Sequence, residues 1–374
     1  MIYLDNAATS FPKPRCVLEE LAACVRKYCG NPGRSSHALS VKAAEIIYDT
    51  RERISNFLGH PTPESVVFTY NATYAINLAL KSFIRKKCHV ITSDIEHNAV
   101  VRPLNELAKT HGVEYSVFST EGNLEGNIER LLREDTICII STLASNVTGK
   151  RIDIDLLSKI SQKHGLYLII DASQAAGHTR IDLSQTPCDV LCAPGHKSLF
   201  GIQGCGFAIF ADTKRRYTLF EGGSGSDSKS TEMPLLLPEG YEAGTLGTPA
   251  IAALGSGIKF LSDIGIDEIS KKISKLTEAT KERIISVKES VLYPSEGGIV
   301  SFNLAGLPSS LIARELDKSG VSVRAGLHCA PSAHKKLGTL DSGTVRISLS
   351  YLNTKRDIDL FWRALSKIAA DFSV

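Results

Sequence analysis

The chain has 374 residues, 43% of them hydrophobic and 22% charged, and its net charge of +3 comes from 43 basic and 40 acidic side chains. A balance this even argues against nucleic acid or an anionic membrane surface as a partner. The length allows two or three domains with a sizeable core.

No apolar run approaches the ~18 residues of a membrane span, and the first residues place a charge at Asp5 where a signal peptide needs an apolar stretch. There are nine cysteines, an odd number, and no two have the CxxC spacing. We therefore expect reduced thiols in a cytoplasmic protein, and neither a zinc nor an iron–sulfur site.

Between about residues 64 and 210, short apolar runs alternate with polar clusters and helical patterns. Runs this apolar are typical of strands covered on both faces, and the alternation predicts a largely parallel α/β sheet. The runs are 66–68, 89–91, 136–140, 166–170, 190–192 and 207–210.

The second half of the chain has a different pattern. A polar segment, 221–231, is predicted to be flexible, and helical patterns follow near 249–260 and over 266–287. After residue 295 we expect strands, a helix over 309–319 and a final helix from about 355. We assign 15–255 to a large domain, and 1–14 with 256–374 to a smaller α+β domain.

Polar side chains follow the predicted strands, and ligands of an open parallel sheet bind beyond the carboxyl ends of its strands. An amine, a carboxylate, an imidazole, an amide and a hydroxyl are therefore predicted to meet at one edge. The residues are Thr73, His97, Asn146, Asp171, Gln174, His196 and Lys197.

These residue types suit one flat, phosphorylated aldehyde cofactor. Lys197 could form a Schiff base, and Asp171 could pair with a pyridinium nitrogen. Thr73 at a helix N-terminus could bind a phosphate, while His97 could stack on a ring or carry protons.

Each of these residues also has an ordinary structural explanation. Considered alone, Lys197 would be interpreted as a solvated surface lysine, and Asp171 and Thr73 as helix caps. The glycine-rich segment 201–206 resembles a dinucleotide-binding loop, but it precedes a strand rather than a helix, so we reject that interpretation.

Residues 171–174 (Asp-Ala-Ser-Gln) and 195–197 (Gly-His-Lys) resemble the class V aminotransferase group of fold-type I enzymes, which use pyridoxal 5'-phosphate. Segments 3–9, 31–37, 96–99, 145–147 and 242–245 resemble cysteine desulfurases. Residues 324–330 (Arg-Ala-Gly-Leu-His-Cys-Ala) resemble the cysteine loop of Suf-like desulfurases and selenocysteine lyases. The similarity runs nearly end to end.

The resemblance implies a fold-type I α/β enzyme, with a mostly parallel seven-stranded sheet and a smaller C-terminal α+β domain, that converts L-cysteine to L-alanine. It also implies a role for each matching residue. For the cofactor, Lys197 would carry pyridoxal phosphate, Asp171 would face its ring nitrogen, Gln174 its phenolic oxygen and His97 its ring, while Thr73 and His196 would contact its phosphate. For the substrate, Asn146 (also a cofactor contact) and Arg346 would hold the carboxylate, and Arg324 and His37 would be further contacts. Cys329 would take the sulfur as a persulfide, and Thr245 would reach the phosphate of the neighbouring subunit in a homodimer.

Two positions depart from the resemblance. Pro194 stands where family members often have a serine, so the resemblance implies one phosphate contact fewer at that end of the site. Leu327 stands where the Suf-like pattern often has a second histidine, which weakens assignment to that subgroup.

In the implied reaction Lys197 removes the α-proton and a Cys329 thiolate takes the sulfur, with Arg324 and His328 expected to favour the anion. Selenocysteine lysis and class V transamination on the same scaffold remain open, as does a non-catalytic sulfur-delivery scaffold. A sulfur-acceptor protein is a possible partner, and iron–sulfur cluster assembly is one possible destination of the sulfur. Neither is readable from the sequence.

Overall fold

A computed structural model describes residues 1–33, 36–226 and 229–372 of the chain. Its strands are β1 (Ile2–Tyr3), β2 (Val66–Thr69), β3 (His89–Ser93), β4 (Glu114–Phe118), β5 (Thr136–Thr142), β6 (Tyr167–Asp171), β7 (Val190–Pro194), β8 (Gly206–Phe210), β9 (Ser290–Leu292), β10 (Ile299–Leu304), β11 (Val321–Ser322), β12 (Arg324–Gly326) and β13 (Thr344–Ser348). Its α-helices are α1 (Arg15–Ala23), α2 (Ala38–Phe57), α3 (Ala72–Phe83), α4 (Asn98–His111), α5 (Leu124–Glu129), α6 (Ile154–His164), α7 (Thr248–Ile264), α8 (Ile266–Ile285), α9 (Ser309–Lys318), α10 (Pro331–Leu337) and α11 (Lys355–Asp371). A π-helical turn, Cys24–Tyr28, follows α1, and a 3₁₀ turn, Pro63–Ser65, precedes β2.

The central sheet has seven strands in the order β2-β8-β7-β6-β5-β3-β4. Strands β4, β3, β5, β6 and β7 are parallel, while β8 runs antiparallel to β7 and β2. The predicted apolar runs are confirmed as strands of this sheet. The sequence analysis missed β4, because it is an edge strand whose residues are mostly polar or exposed.

Helices cover both faces of this sheet, which is why β3, β7 and β8 are buried along their whole length. One core lies between the sheet and helices including α2, α6 and α7. A second core lies on the α3 and α4 side. The apolar stretches of the sequence are thus accounted for by two layers of helix around one sheet.

The C-terminal part of the chain folds around a second, antiparallel sheet with the order β12-β13-β10-β9. Helices α8, α9 and α11 pack on it through a third core, which includes Leu4 from the start of the chain. Strand β1 pairs with β11, and Asp5 forms a bridge to Ser348. The N-terminus therefore lies beside the second sheet, and the helices predicted over 249–260, 266–287, 309–319 and from 355 are confirmed.

The described residues of the polar segment 221–231 form neither helix nor strand. Among the described residues no single helix is long and apolar enough to cross a membrane. Helices α7 and α8, bent by 85° at their junction, meet the length and composition criteria only as a pair.

Two local features set the edge of the sheet where polar side chains gather. Helix α3 begins at Ala72 because the Asn71 side chain accepts a hydrogen bond from the Tyr74 N–H at 3.1 Å. Strand β8 begins at Gly206, where a Cβ atom would lie 2.8 Å from the Asn71 backbone. Glycine at this position thus lets β8 lie against the start of α3.

Candidate active site

A cavity of about 210 Å³ lies at the carboxyl edge of the parallel strands. It is the kind of concave site, at the ends of parallel strands, where α/β proteins bind ligands. The structure brings to its wall seven of the residues predicted from the sequence: Thr73, His97, Asn146, Asp171, Gln174, His196 and Lys197.

Lys197 follows β7 and lines this cavity. Burial lowers its pKa from 10.5 to about 8, although the Asp171 carboxylate acts in the opposite direction. Arg346 and Arg324 lower this pKa further. A useful fraction of the amine is therefore neutral near physiological pH, as a nucleophile or base requires.

Asp171 is the last residue of β6, and its side chain is buried. The Ser173 N–H donates to its Oδ1 at 2.9 Å, which fixes one carboxylate oxygen. A buried carboxylate beside a cavity suits a cationic ring nitrogen, because each charge would compensate the other.

His97 lies at the N-cap of α4, where its Nδ1 accepts the Ala99 N–H at 3.0 Å. That bond leaves Nε2 as the protonated nitrogen of the ring. Burial, followed by the charge of Lys197, lowers the pKa of His97 to about 4. A neutral ring in this position suits stacking on a flat ligand.

Other residues that line the cavity have the features of an anion site. Thr73 lies in the first turn of α3, where backbone N–H groups have no partner within the helix and favour a phosphate. His196 Nδ1 is buried and lacks a partner among the described residues, and Lys13 donates to the His196 carbonyl at 3.0 Å. Pro194 also lines the cavity and offers no hydroxyl.

Gln174 also lines the cavity, and its Nε2 donates to the Ala7 carbonyl at 3.1 Å. Because an amide nitrogen carries two hydrogens, one donor and the carbonyl oxygen stay available. The N-terminal segment thus orients a residue predicted to contact the cofactor.

Arg346 is 1% exposed and forms an ion pair with Asp5 at 2.8 Å. It also donates to the Asn146 carbonyl at 3.0 Å, while its Nε and Asn146 Oδ1 are buried without partners among the described residues. Unsatisfied polar atoms of this kind are uncommon and fit a site that receives a polar ligand. The sequence analysis gave Asp5 no role, although Asp5 lies in the quoted segment 3–9.

Cys329 lies between β12 and α10, and its side chain is exposed. The Arg324 guanidinium is 3.9 Å from Cys329 Sγ, so the expected cation is in place. The expectation for His328 is corrected. Its ring is buried, its Nε2 lies 3.2 Å from the Thr344 carbonyl, and burial lowers its pKa far below the usual value, so it carries no charge at neutral pH.

Five predicted residues do not line this cavity: Arg324, Cys329 and Arg346, described above, and also His37 and Thr245. His37 is exposed and caps α2, accepting the Ser40 N–H through Nδ1 at 3.3 Å; Arg34 and Ser35 of the same motif lie outside the described residues. Thr245 lines other cavities beside the Glu242–Arg51 pair. The sequence analysis therefore placed His37 and Thr245 in the site only by resemblance.

Glu242, from the same motif as Thr245, is structural. Its carboxylate pairs with Arg51 at 2.6 Å and accepts the Phe68 N–H at 2.6 Å, and both side chains of the pair are buried. This pair ties the segment before Thr245 to strand β2.

Glu96 is a further buried carboxyl beside the cavity that the sequence analysis quoted without a role. Burial raises its pKa to about 8, so it is protonated at neutral pH. Its Oε1 accepts the Thr142 N–H at 2.9 Å. With Glu96 uncharged, Asp171 is the carboxylate that most favours the charged form of Lys197, ahead of Asp5. In the part of the chain that the structure describes, no group of three or more His, Cys, Asp and Glu side chains could hold a metal ion.

Comparison with known proteins agrees with this geometry. The family model for class-V aminotransferases matches residues 2–361. A probable cysteine desulfurase from Halalkalibacterium halodurans is 31% identical over 98% of this chain and 93% of its own length, and one from Synechocystis is 32% identical over 100% and 92%. A cysteine desulfurase structure from Thermococcus onnurineus has a TM-score of 0.91 at 29% identity, covering 99% of this chain and 95% of that one.

The chain belongs to the class-V aminotransferase family, among the cysteine desulfurases. The predicted family is therefore confirmed. So is the fold-type I α/β architecture, since a cysteine desulfurase from Escherichia coli at 24% identity shares the fold with a TM-score of 0.90, over 99% of this chain and 94% of its own.

Proposed function

We propose that this protein is a pyridoxal phosphate-dependent cysteine desulfurase that converts L-cysteine to L-alanine and receives the sulfur on Cys329 as a persulfide. The observation that carries the proposal is the pairing of two features. One is a cavity that holds Lys197, Asp171 and His97; the other is an exposed thiol with the Arg324 guanidinium at 3.9 Å.

The residues of the cavity fit pyridoxal phosphate. Lys197 would hold its carbonyl carbon, Asp171 would face its ring nitrogen, and Thr73 at the start of α3 would contact its phosphate. When bound, the cofactor supplies an electron sink for the pair released from the substrate α-carbon.

The chain's own residues would bind the substrate and move its proton. Arg346 would bind the substrate carboxylate, and in support its Nε is buried without a partner among the described residues. The Lys197 amine would accept the α-proton and later return a proton to the product. Its pKa of about 8 suits both directions of transfer.

Cys329 would then accept the sulfur. An S–S bond forms between Cys329 Sγ and the substrate sulfur, and the substrate C–S bond breaks. The electron pair of that bond stays with the β-carbon, which takes up a proton and becomes the methyl group of alanine. The Arg324 guanidinium, which donates to Cys329 Sγ at 3.9 Å, would orient the sulfur for this attack.

The test is the Cys329→Ala variant, assayed as holoenzyme for alanine and sulfide with cysteine. We expect desulfuration to be lost while the absorption of the bound cofactor is retained. Cys16→Ala is the matched control, because Cys16 is also an exposed, unpaired thiol. Alanine production at the wild-type rate by the Cys329→Ala variant would contradict the persulfide role of Cys329. The same assay with selenocysteine tests the alternative activity, because a selenocysteine lyase could depend less on Cys329.

We also propose that the protein acts as a homodimer in which Thr245 reaches the neighbouring subunit's phosphate site. In support, Thr245 lines a cavity that also includes Tyr70, Tyr74 and Phe220, whose exposed fractions are 67%, 40% and 54%. Exposed aromatic patches of this kind are typical of interfaces. Mixing Thr245→Ala with Lys197→Ala subunits should restore activity that neither variant has alone, and no recovery after subunit exchange would contradict shared sites.

Delivery of the sulfur to an acceptor protein in the cytoplasm is the remaining part of the proposal. It is supported by the exposed Cys329 thiol, by Leu327 beside it at 39% exposure, and by the free state of all nine cysteines, each of which the structure describes. Transfer of labelled sulfur from the persulfide to thiol proteins of a cell extract, followed by fractionation, would test both points. Iron–sulfur assembly would be one destination.

A further inference from the structure

His328 and Cys329 are consecutive residues in the left-handed region of backbone conformation, with φ of 50° and 58°. Neither is glycine, and L-residues rarely adopt this region because the Cβ atom crowds the following carbonyl. Two such residues in succession persist only where surrounding contacts hold them. The contacts that do so identify what positions the thiol.

Two donors from the edge of the large sheet hold the carbonyls of this pair. The Asn146 side-chain amide donates to the His328 carbonyl at 2.7 Å. The backbone N–H of Asn98 donates to the Cys329 carbonyl at 2.8 Å. Both donors lie at the cavity, because Asn146 lines it and Asn98 follows the cavity residue His97 at the start of α4.

We propose that the Asn98 N–H and the Asn146 amide form a two-point clamp that holds Cys329 in its strained conformation beside the Lys197 cavity. The inference rests on the proposed function, because it assigns a positioning role to residues that act through Cys329. The clamp also connects to the substrate end of the site, since Arg346 donates to the Asn146 carbonyl at 3.0 Å.

Loss of the clamp should let the pair relax toward right-handed backbone and move Sγ away from Arg324. Asn98 allows a clean test, because it is the first residue of α4, where proline is well tolerated. The preceding residue, His97, has φ −79° and ψ 155°, which is the extended conformation that a following proline favours. Asn98→Pro therefore removes the N–H within a compatible backbone, and Asn98→Ala keeps it as the matched control.

Both variants are compared as holoenzymes, first by hydrogen exchange in the segment 324–330 without cysteine. We expect exchange in Asn98→Pro to be about fivefold faster, the change that loss of one hydrogen bond typically produces. Asn98→Ala should match the wild type. Asn146→Asp, which replaces the donor with an acceptor, should also accelerate exchange, and it serves as the second variant if Asn98→Pro fails to fold.

Measuring two activities of each variant distinguishes a loss of Cys329 positioning from general damage to the active site. Asn98→Pro should keep the exchange of the substrate α-proton, which uses Lys197, and lose about fivefold in the rate of persulfide formation on Cys329. Equal hydrogen exchange and equal persulfide rates in Asn98→Pro and Asn98→Ala would overturn the clamp. If no form of the enzyme makes a persulfide on Cys329, the proposed function fails, whereas the hydrogen-exchange comparison still decides the clamp.

Discussion

The cavity at the sheet edge and the Cys329 loop are built in opposite ways. Asp171 ends a buried strand and Lys197 follows another, so regular elements of a seven-stranded sheet fix both. Cys329 is exposed, follows a three-residue strand, and lies in a left-handed pair of residues. The groups that must hold a ligand in one geometry lie at the ends of buried strands, whereas the thiol that passes sulfur onward lies on an exposed loop held by hydrogen bonds from Asn98 and Asn146.

The largest effect should come from the rigid side. Lys197→Ala is expected to lower kcat by about 10³-fold or more, because both the covalent anchor and the base are removed. The absorption of the bound cofactor should change as well. Lys163→Ala is the control, because Lys163 is an exposed lysine paired with Glu129. Normal turnover in Lys197→Ala would show that this amine has no role in the chemistry.

The free energy of unfolding should also distinguish a buried ion pair from an exposed one. Glu242→Gln leaves the buried Arg51 charge unpaired and should lower the free energy of unfolding by about 3–5 kcal/mol. Glu19→Gln removes an ion pair whose side chains are 90% and 60% exposed and should cost less than about 1 kcal/mol. Denaturant titrations of the two variants measure the difference. Similar losses would mean that the Glu242–Arg51 pair does not fasten the sheet.

The pH dependence of cofactor capture tests the electrostatics of the cavity. Only the neutral amine reacts with an aldehyde, so the rate at which cofactor-free protein captures pyridoxal phosphate should rise with pH. Its midpoint should lie near 8 rather than near the usual lysine value, because burial lowers the pKa of Lys197. In Asp171→Asn the midpoint should move lower still, since the carboxylate favours the ammonium. A midpoint above 10 would contradict the buried amine.

The smallest effect is expected at the exposed Cys329 loop. Arg324→Gln should slow alkylation of Cys329 at neutral pH by about two- to fivefold, because it removes a partly exposed charge that lies 3.9 Å from the reacting sulfur. High salt should reduce the difference between variant and wild type. Arg314→Gln, also in the C-terminal part of the chain, serves as the control. An unchanged rate of Cys329 alkylation in Arg324→Gln would show that Arg324 does not affect the reactivity of this thiol.

The same contrast explains how much the sequence could predict. Strands such as β6 and β7 were predictable because apolar residues fill both faces, and their ends then placed Asp171 and Lys197. Strand β4 was missed because a polar edge strand lacks that pattern. The sequence could not reveal the Asp5–Arg346 pair, whose members lie 341 positions apart, because such contacts exist only in the folded chain.

The Cys329 loop shows a second limit. Its motif located the thiol, and Arg324 was rightly placed beside it. Spacing gave no indication that His328 would be buried and neutral, since the pKa of a histidine depends on surroundings contributed by distant strands. The bond from Asn98 uses a backbone N–H, which every residue but proline possesses, so no residue type marks it.

The most direct test of the account is a measurement of where the sulfur goes. The holoenzyme is mixed with cysteine in the absence of reductant. The mass of each cysteine-containing peptide is then measured by mass spectrometry, and the amount of alanine formed is quantified. The account predicts that the Cys329 peptide gains the mass of one sulfur atom for each alanine formed in the first turnover, and that the exposed Cys16 and Cys29 gain none. Alanine formed with Cys329 unmodified, or with the sulfur on another cysteine, would contradict it.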